Sequence, residues 1–261
     1  MSAYSAPLTQ LALMNLISED ERKHLMRIQN AWKRYQGDWP DPLRAPSGRA
    51  VDYNLKTNFA REFVDKSVNY LFGQEVGFEL DTETRERTED EAYLDAVWQA
   101  NRKGSWLQKY AMNGCVAGHA FVLIEPDKIA HPDYGAVPRF INLEPESVWP
   151  SWDDLDIDDV WRYRVQFNGI DRESGKPVVR RKLIDRQDNG QWLISDWVAF
   201  DGDPQFRKVA EAAWEYEFAP IVHNQNLPAP NEFWGVPDLT DDRLDFMHGI
   251  NRLISNVNKI V

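Results

Sequence analysis

The sequence predicts an α+β fold in which N-terminal helices precede an antiparallel β meander, with a long amphipathic helix at the C-terminal end. Before Gly118, apolar residues recur at three- and four-residue spacing, as on one face of a helix. From His119 to Val222 this spacing gives way to short apolar runs bounded by Pro, Gly and Asp, which indicate strands. The helical spacing returns after Pro237. With 261 residues, of which 43% are hydrophobic, the chain can bury a sizeable core.

A capping box indicates the start of the first helix. Ser18 is followed three residues later by Glu21, and the acidic residues between them suit the positive end of a helix dipole. Gly37 marks the end of the helix, and the three prolines between Trp39 and Ser47 predict a loop. The apolar face of this helix consists of Leu25, Ile28, Trp32 and Tyr35.

Three more helices are predicted before the main run of strands. The second helix extends from about Thr57 to Phe72 and ends at Gly73. After it, a short strand is predicted at Val76–Leu80 and an exposed charged loop at Asp81–Asp90. The other two predicted helices are one through Tyr93, Leu94, Val97 and Trp98, and one that is capped by Ser105 and reaches Ala117.

Short strands fill the middle of the chain. Asp188-Asn189-Gly190 predicts a tight hairpin turn, because Asn and Gly tolerate the positive φ angles that such turns require. Asparagine and proline are frequent from Asn224 to Pro237, which predicts a last loop. The predicted strands are His119–Glu125, Arg139–Leu143, Val160–Phe167, Val178–Arg186, Gln191–Phe200 and Trp214–Val222.

The C-terminal helix is the main candidate for a functional surface. Pro237 and Asp238 suit its first turn. Its apolar residues cover nearly half of the circumference, so we expect contacts with other helices or a neighbouring subunit; the alternative is that it folds back onto its own domain. Because the apolar spacing of this helix continues to the last residue, we expect the natural chain to extend beyond Val261. The candidate oligomerisation residues are Phe246, Met247, Ile250, Leu253, Ile254, Val257, Ile260 and Val261.

Charge and composition exclude some classes of function. The formal net charge is −12 and the sequence contains no basic run, which argues against tight binding of nucleic acid. Eleven tryptophans suit a core, an interface or a sugar-binding surface, although their spread over apolar-face positions favours the core. The single cysteine, Cys115, lies in a small apolar stretch and is interpreted as a buried structural residue. No apolar run is long enough to cross a membrane.

The sequence predicts no catalytic, cofactor-binding or metal-binding residues. Phosphate-binding loops, nucleophile elbows and zinc motifs are missing, and the five histidines are scattered. The densest acidic stretch, Asp153–Asp159, is interpreted as a solvated turn between strands. A cation site is the alternative, although the glycine and glutamate of the common calcium loop are lacking. Carboxylates close to Trp149 and Trp152 also suggest glycoside hydrolysis, but only weakly.

Four segments, in order, resemble the portal (head–tail connector) proteins of tailed bacteriophages, of the siphophage type. The first is a Tyr-x-Gly turn, and the second is a helix that starts with Asn and runs to Tyr-Leu-x-Gly. The third is similar to a portal strand with Ile-Pro-Val and a following Asn. The fourth is similar to the start and body of the portal's long helix, with Pro237 in place of Ser. These segments are Tyr35–Asp38, Asn58–Gly73, Phe218–Asn226, and Trp234–Leu239 with Ile250–Ser255; Trp98–Asn101 and Leu143–Pro150 are also portal-like.

The resemblance implies a structural ring subunit and no enzyme. Portal proteins form a ring, typically of twelve subunits, at one capsid vertex of the virion, after assembly in the host cytoplasm. Double-stranded DNA passes through the ring without tight binding. The implied partners are the terminase large subunit, a head–tail adaptor, and the major capsid and scaffold proteins. Residues 1–233 would form the wing-like domain and residues 234–261 the first stem helix, while the clip, second stem helix and crown would follow.

Two alternatives to a portal subunit remain at the level of the sequence. One is another structural protein of the phage head, such as a minor capsid protein. The other is a carbohydrate-binding or glycosidase-like protein, which only the tryptophan content and the acidic stretch suggest.

Overall fold

A computed structural model describes residues 18–44, 51–77, 80, 88–200, 205–230 and 232–260. It confirms the predicted α+β class. The helices are α1 (Glu19–Tyr35), α2 (Phe59–Phe72), α3 (Glu89–Ala100), α4 (Lys103–Ala117) and α5 (Asp241–Ile260), with a short 3₁₀ helix at Pro145–Ser147. The strands are β1 (His119–His131), β2 (Gly135–Leu143), β3 (Val148–Trp152), β4 (Val160–Ile170), β5 (Pro177–Arg186), β6 (Trp192–Phe200), β7 (Arg207–Ala213) and β8 (Ile221–Gln225).

Capping chemistry fixes the start of α1, as predicted. The backbone N–H of Glu21 donates to the Ser18 hydroxyl at 3.2 Å, and the Ser18 N–H donates to the Glu21 carboxylate at 2.7 Å. The chain then turns at Gly37, where φ is +92°. Helices α1, α2, α4 and the beginning of α5 share one core, whose buried members include Ala31, Ala60, Val64, Val68, Val116 and Leu244.

Two antiparallel sheets follow the helices. The first has the order β2-β1-β8, so β8 returns from late in the chain to pair with β1. The second is the predicted meander, with five strands in the order β3-β4-β5-β6-β7. Gly190, at φ +83°, occupies the predicted tight turn between β5 and β6. Buried residues of both sheets form a second core, which includes Phe121, Val148, Val165, Ile184 and Trp192.

The structure corrects two predicted strands and adds two that were not predicted. The described residues of Val76–Leu80 are not in a strand. The predicted strand Trp214–Val222 is wrong over most of its length, because only its last two residues lie in β8. The strand that precedes β8 is β7, which the sequence did not predict. All seven of its residues are exposed, and its apolar and polar residues do not alternate. Strand β3 was not predicted either, and β1, β2 and β4 extend beyond their predicted ends.

Two predicted helix starts are also corrected. Helix α4 begins at Lys103 and is not capped by Ser105, whose hydroxyl donates to the Arg102 carbonyl at 3.2 Å. Arg102 has φ +58°, and this left-handed residue makes the tight break between α3 and α4. Helix α5 begins at Asp241 and not at Pro237 or Asp238. The Asp238 N–H instead donates to the Cys115 carbonyl at 2.8 Å, which holds the approach to α5 against α4.

Candidate assembly surface

Residues 51–58, called the strap below, run along one side of α5 and connect it to the helical core. The Asn251 side chain accepts from the Thr57 N–H at 2.9 Å and donates to the Thr57 carbonyl at 3.1 Å. One turn further on, the Ser255 hydroxyl accepts from the Leu55 N–H at 2.9 Å and donates to the Leu55 carbonyl at 3.2 Å. Both polar groups of two strap residues are therefore satisfied by side chains of the helix.

The buried face of α5 is consequently polar along most of its length. Asn251 and Ser255 are both fully buried, and only Leu244, in the first turn, adds a buried apolar side chain. Asn258 extends the same face by donating to the Tyr53 carbonyl at 3.2 Å. A helix on the surface of a soluble domain usually buries its apolar stripe and exposes its polar side. In α5 this arrangement is partly reversed, because Asn251 and Ser255 are buried while large apolar side chains are exposed together with polar ones such as Arg252.

The outward face of α5 is apolar. At 100° per residue, four exposed side chains lie opposite the buried face and form a continuous stripe. We call them the outer stripe. They are Phe246 (70% exposed), Leu253 (68%), Val257 (61%) and Ile260 (84%).

The seven candidate residues that the structure describes are thus divided between two environments. Four of them form the outer stripe. Met247, Ile250 and Ile254 are half-buried beside it, and Val261 lies outside the described residues. Asn251 and Ser255, whose side chains bind the strap, were not among the candidate residues. Their signals in the sequence are two small polar side chains four residues apart and their place in the portal-like stretch Ile250–Ser255.

Three histidines form a buried cluster with aromatic residues, which the sequence did not predict. His119 in β1 lies between His24 of α1, with ring centroids 5.1 Å apart, and His223 of β8, at 6.0 Å. Trp234 stacks on His24 at 3.9 Å. Burial lowers the pKa of His24 to about 4, of His119 to about 2 and of His223 to about 4, so the cluster is uncharged at neutral pH.

This cluster has the properties of a packed junction and not of a metal centre. Both ring nitrogens of His119 lack a hydrogen-bond partner among the described residues, and its ring is packed between other rings. No group of three His, Cys, Asp or Glu side chains within the described part of the chain could hold a metal ion. The cluster joins α1 to the β2-β1-β8 sheet at the point where the chain leads on to α5.

The acidic turn between β3 and β4 is engaged in local structure. The Arg186 guanidinium donates two hydrogen bonds to the Asp159 carboxylate, at 2.6 and 2.8 Å, and thereby lowers the pKa of that carboxyl. Asp153 accepts from the Leu155 N–H at 2.8 Å. Trp149 is buried, and Trp152 stacks on Phe233 with centroids 4.1 Å apart. The tryptophans beside the turn therefore serve packing.

Cys115 is buried, as the sequence predicted. Burial, together with the neighbouring Asp238 carboxylate, raises the pKa of its thiol to about 12. A thiol in this state is almost entirely protonated at neutral pH and is a poor nucleophile.

Within the described ranges, no helix combines the length and the apolar composition that a membrane span requires.

The comparison with curated proteins gives no match. A family model described as phage portal protein, SPP1 Gp6-like, matches residues 15–176, which is more than half of the chain. That range includes α1 to α4, two of the four portal-like segments and both additional stretches. The chain therefore belongs to the SPP1 Gp6-like family of phage portal proteins.

Proposed function

We propose that this chain is a portal subunit that assembles into a closed ring at the capsid vertex, through which DNA is packaged and ejected. The observation that carries the proposal is the outer stripe, an apolar face turned away from its own subunit. The family gives the general context, since portal proteins are structural components of the phage capsid. For the number of subunits, the resemblance implies about twelve.

Energetics favours covering the outer stripe. Transferring one large apolar side chain from water into a packed interface contributes roughly 1.5–3 kcal/mol. Burial of four such side chains would contribute a free energy comparable with the ~4–15 kcal/mol that association costs in lost freedom of motion. In a ring with head-to-tail contacts each subunit uses two different faces, so every subunit is held at two interfaces. We infer that the outer stripe of one subunit packs against its neighbour in the ring.

The division into wing and stem is part of the same proposal. Residues 1–233 would form the wing-like domain, and residues 234–261 the first stem helix, of which residues 234–260 are described and α5 is the helical part. The partly reversed amphipathicity of α5 supports this division, because a stem helix in a ring has neighbours on its outer side. The proposed partners are further copies of the chain, the terminase large subunit, a head–tail adaptor and the capsid and scaffold proteins.

We further propose that the chain has no enzymatic role. The acidic turn is the region most similar to a hydrolase site, and its Asp159 carboxylate is paired with Arg186. Turnover of ATP or of a glycan that is abolished by Asp159→Asn would contradict this part of the proposal.

Electron microscopy of the purified full-length protein, together with its particle mass in solution, tests the proposed function. We expect closed rings with a central channel and a mass of many subunits. A protein that stays monomeric or dimeric at micromolar concentration and above would overturn the proposal.

A further inference from the structure

The contacts between the strap and α5 have a defined register. Residues 251 and 255 lie about 6 Å apart along a helix axis. The residues that they bind, 57 and 55, are two positions apart, and two residues of extended chain span at most about 7 Å. The two spacings therefore match, and Asn258 with Tyr53 continues the series in the same direction. A single rotational setting of α5 satisfies all three contacts.

The strap is itself fixed from its other side. The Leu43 N–H donates to the Asn54 side chain at 2.7 Å, and Lys56 forms an ion pair with Asp41 at 2.7 Å. Alternate residues of the strap thus face the loop after α1, while the residues between them face α5. The strap therefore fixes the position of α5 relative to the loop after α1. It does so through hydrogen bonds between its backbone and side chains of α5.

We propose that Asn251, Ser255 and Asn258 are positioning residues that set the rotation of α5 about its axis, so that the outer stripe faces away from its own subunit. The inference rests on the proposed function, in which that stripe meets a neighbouring subunit. The competing arrangement is a helix rolled over to bury its apolar side. Rolling it would separate Asn251 and Ser255 from the strap and leave the N–H and C=O groups of Leu55 and Thr57 without their partners. The polar face therefore disfavours the rolled helix.

The primary test is Asn251→Leu, which removes two hydrogen bonds with little change of side-chain size. The matched control is Asn256→Leu, the same change at an exposed position of the same helix. For Asn251→Leu we expect a folded subunit whose Thr57 amide exchanges with solvent at least tenfold faster, and we expect the particle mass to fall from ring to subunit. The control should change neither value. Rings together with unaltered exchange at Thr57 would overturn the inference.

A milder variant covers the case in which Asn251→Leu does not fold. Ser255→Ala removes one hydroxyl and should accelerate exchange mainly at Leu55, while the exchange rate at Thr57 stays within about twofold. Unchanged exchange at Leu55 would contradict the role of Ser255 and the inference with it.

A thiol placed in the outer stripe reports rotation of the helix independently of assembly. In a Cys115→Ala background, Leu253→Cys should react rapidly with a thiol reagent in dissociated subunits and at least fivefold more slowly when Asn251→Leu is added. Equal rates would overturn the inference. If the parent protein forms no ring at all, the proposed function fails, while the exchange and labelling rates still decide the role of the polar face.

Discussion

At the scale of single residues, two glycines allow a backbone contact that positions the approach to α5. A Cβ atom on Gly235 would lie 2.2 Å from the Gly118 carbonyl oxygen, and one on Gly118 would lie 2.4 Å from the Gly235 carbonyl oxygen. Gly118 also has φ +89°, which disfavours any larger residue. Asn226 completes the junction by donating from its N–H to the Gly118 carbonyl at 2.9 Å. Gly235, in the portal-like segment Trp234–Leu239, thus has a steric explanation.

Gly235→Ala should therefore be strongly destabilising. The neighbouring atoms are backbone and cannot rotate away, so we expect a loss of roughly 3 kcal/mol in the free energy of unfolding. Gly104→Ala is the control, because a Cβ there meets nothing within 4 Å. Urea unfolding of both variants measures the difference. Equal stability of the two would show that the junction moves apart at little cost.

The histidine cluster predicts that stability falls in mild acid. The three imidazoles have pKa values of about 4, 2 and 4 in the folded chain against a usual value of 6.5, so the unfolded chain takes up more protons as the pH falls below 6.5. Each imidazole then lowers the free energy of unfolding by up to about 2 kcal/mol between pH 7 and pH 5. After burial, the positive charge of Arg27 also lowers the pKa of His24 and of His119. The pKa of Arg27 is itself lowered by burial, while the Asp241 and Glu232 carboxylates raise it.

Urea unfolding at pH 7 and pH 5 measures this dependence. His119→Leu removes one of the three groups, so the loss of stability between the two pH values should shrink by about a third. A wild-type protein whose free energy of unfolding is the same at both values would contradict the buried, neutral state of the cluster.

At the scale of elements, one asparagine joins α3 to the β2-β1-β8 sheet. The Asn101 amide donates to the carbonyls of Val97, at 2.8 Å, and Pro138, at 2.9 Å, and its oxygen accepts from the Phe140 N–H at 2.8 Å. Asn101 is buried, so these groups have little access to water. The portal-like stretch Trp98–Asn101 ends on this residue.

Asn101→Leu should destabilise the chain by roughly 1–3 kcal/mol, because it removes the buried Asn101 amide that pairs a part-buried N–H and a part-buried C=O of β2. Asn256→Leu, on the exposed side of α5, should change the stability by less than about 0.5 kcal/mol. Thermal or urea unfolding measures both. If Asn101→Leu is as stable as its control, the hydrogen bonds of Asn101 do not secure β2 against α3.

Elements were predictable from the sequence where local chemistry decides them. The Ser18 capping box and the Asn189-Gly190 turn specify their structures within a few residues, and the structure shows both. The error at 214–222 has a physical cause. The alternating aromatics Trp214, Tyr216 and Phe218 look like a strand, but successive rings pack at 5.0 and 5.4 Å, and the Trp214 indole donates to the Phe218 carbonyl, which closes a turn.

The orientation of α5 shows what the sequence could not supply. Its three- and four-residue spacing correctly predicted a helix. The side that is buried depends on the strap, about two hundred residues earlier in the chain, whose backbone groups are matched by Asn251 and Ser255. Such a long-range polar match has no counterpart in local periodicity. The apolar candidate residues therefore lie on a helix that the sequence predicted, while the division of the described ones into half-buried and exposed sets needed the structure.

At the scale of the whole molecule, net charge limits contact with DNA. A formal charge of −12 opposes the polyphosphate backbone, so we expect weak and salt-sensitive binding of duplex DNA. In a proposed conduit such weak binding lets the duplex slide. Fluorescence anisotropy with a short duplex at several salt concentrations measures it. A dissociation constant below about 1 μM at physiological salt would contradict this expectation.

In the proposed ring, α5 is an assembly element whose outer stripe meets the neighbouring subunit. In the full-length protein, a double variant with Leu253→Asp and Val257→Asp adds two charges to the outer stripe. The matched control, Arg252→Asp with Asn256→Asp, uses the same four-residue spacing on exposed polar positions of the same turns. Both variants should remain folded, because all four positions are exposed.

Particle mass and unfolding temperature, measured together on wild type and both variants, test this claim most directly. We expect rings for the wild type and the control. The stripe variant should give folded single subunits whose unfolding temperature lies within a few degrees of that of dissociated wild-type subunits. Rings of unchanged mass from the stripe variant would contradict the claim, and so would unfolding of that subunit, since the stripe would then belong to its own core.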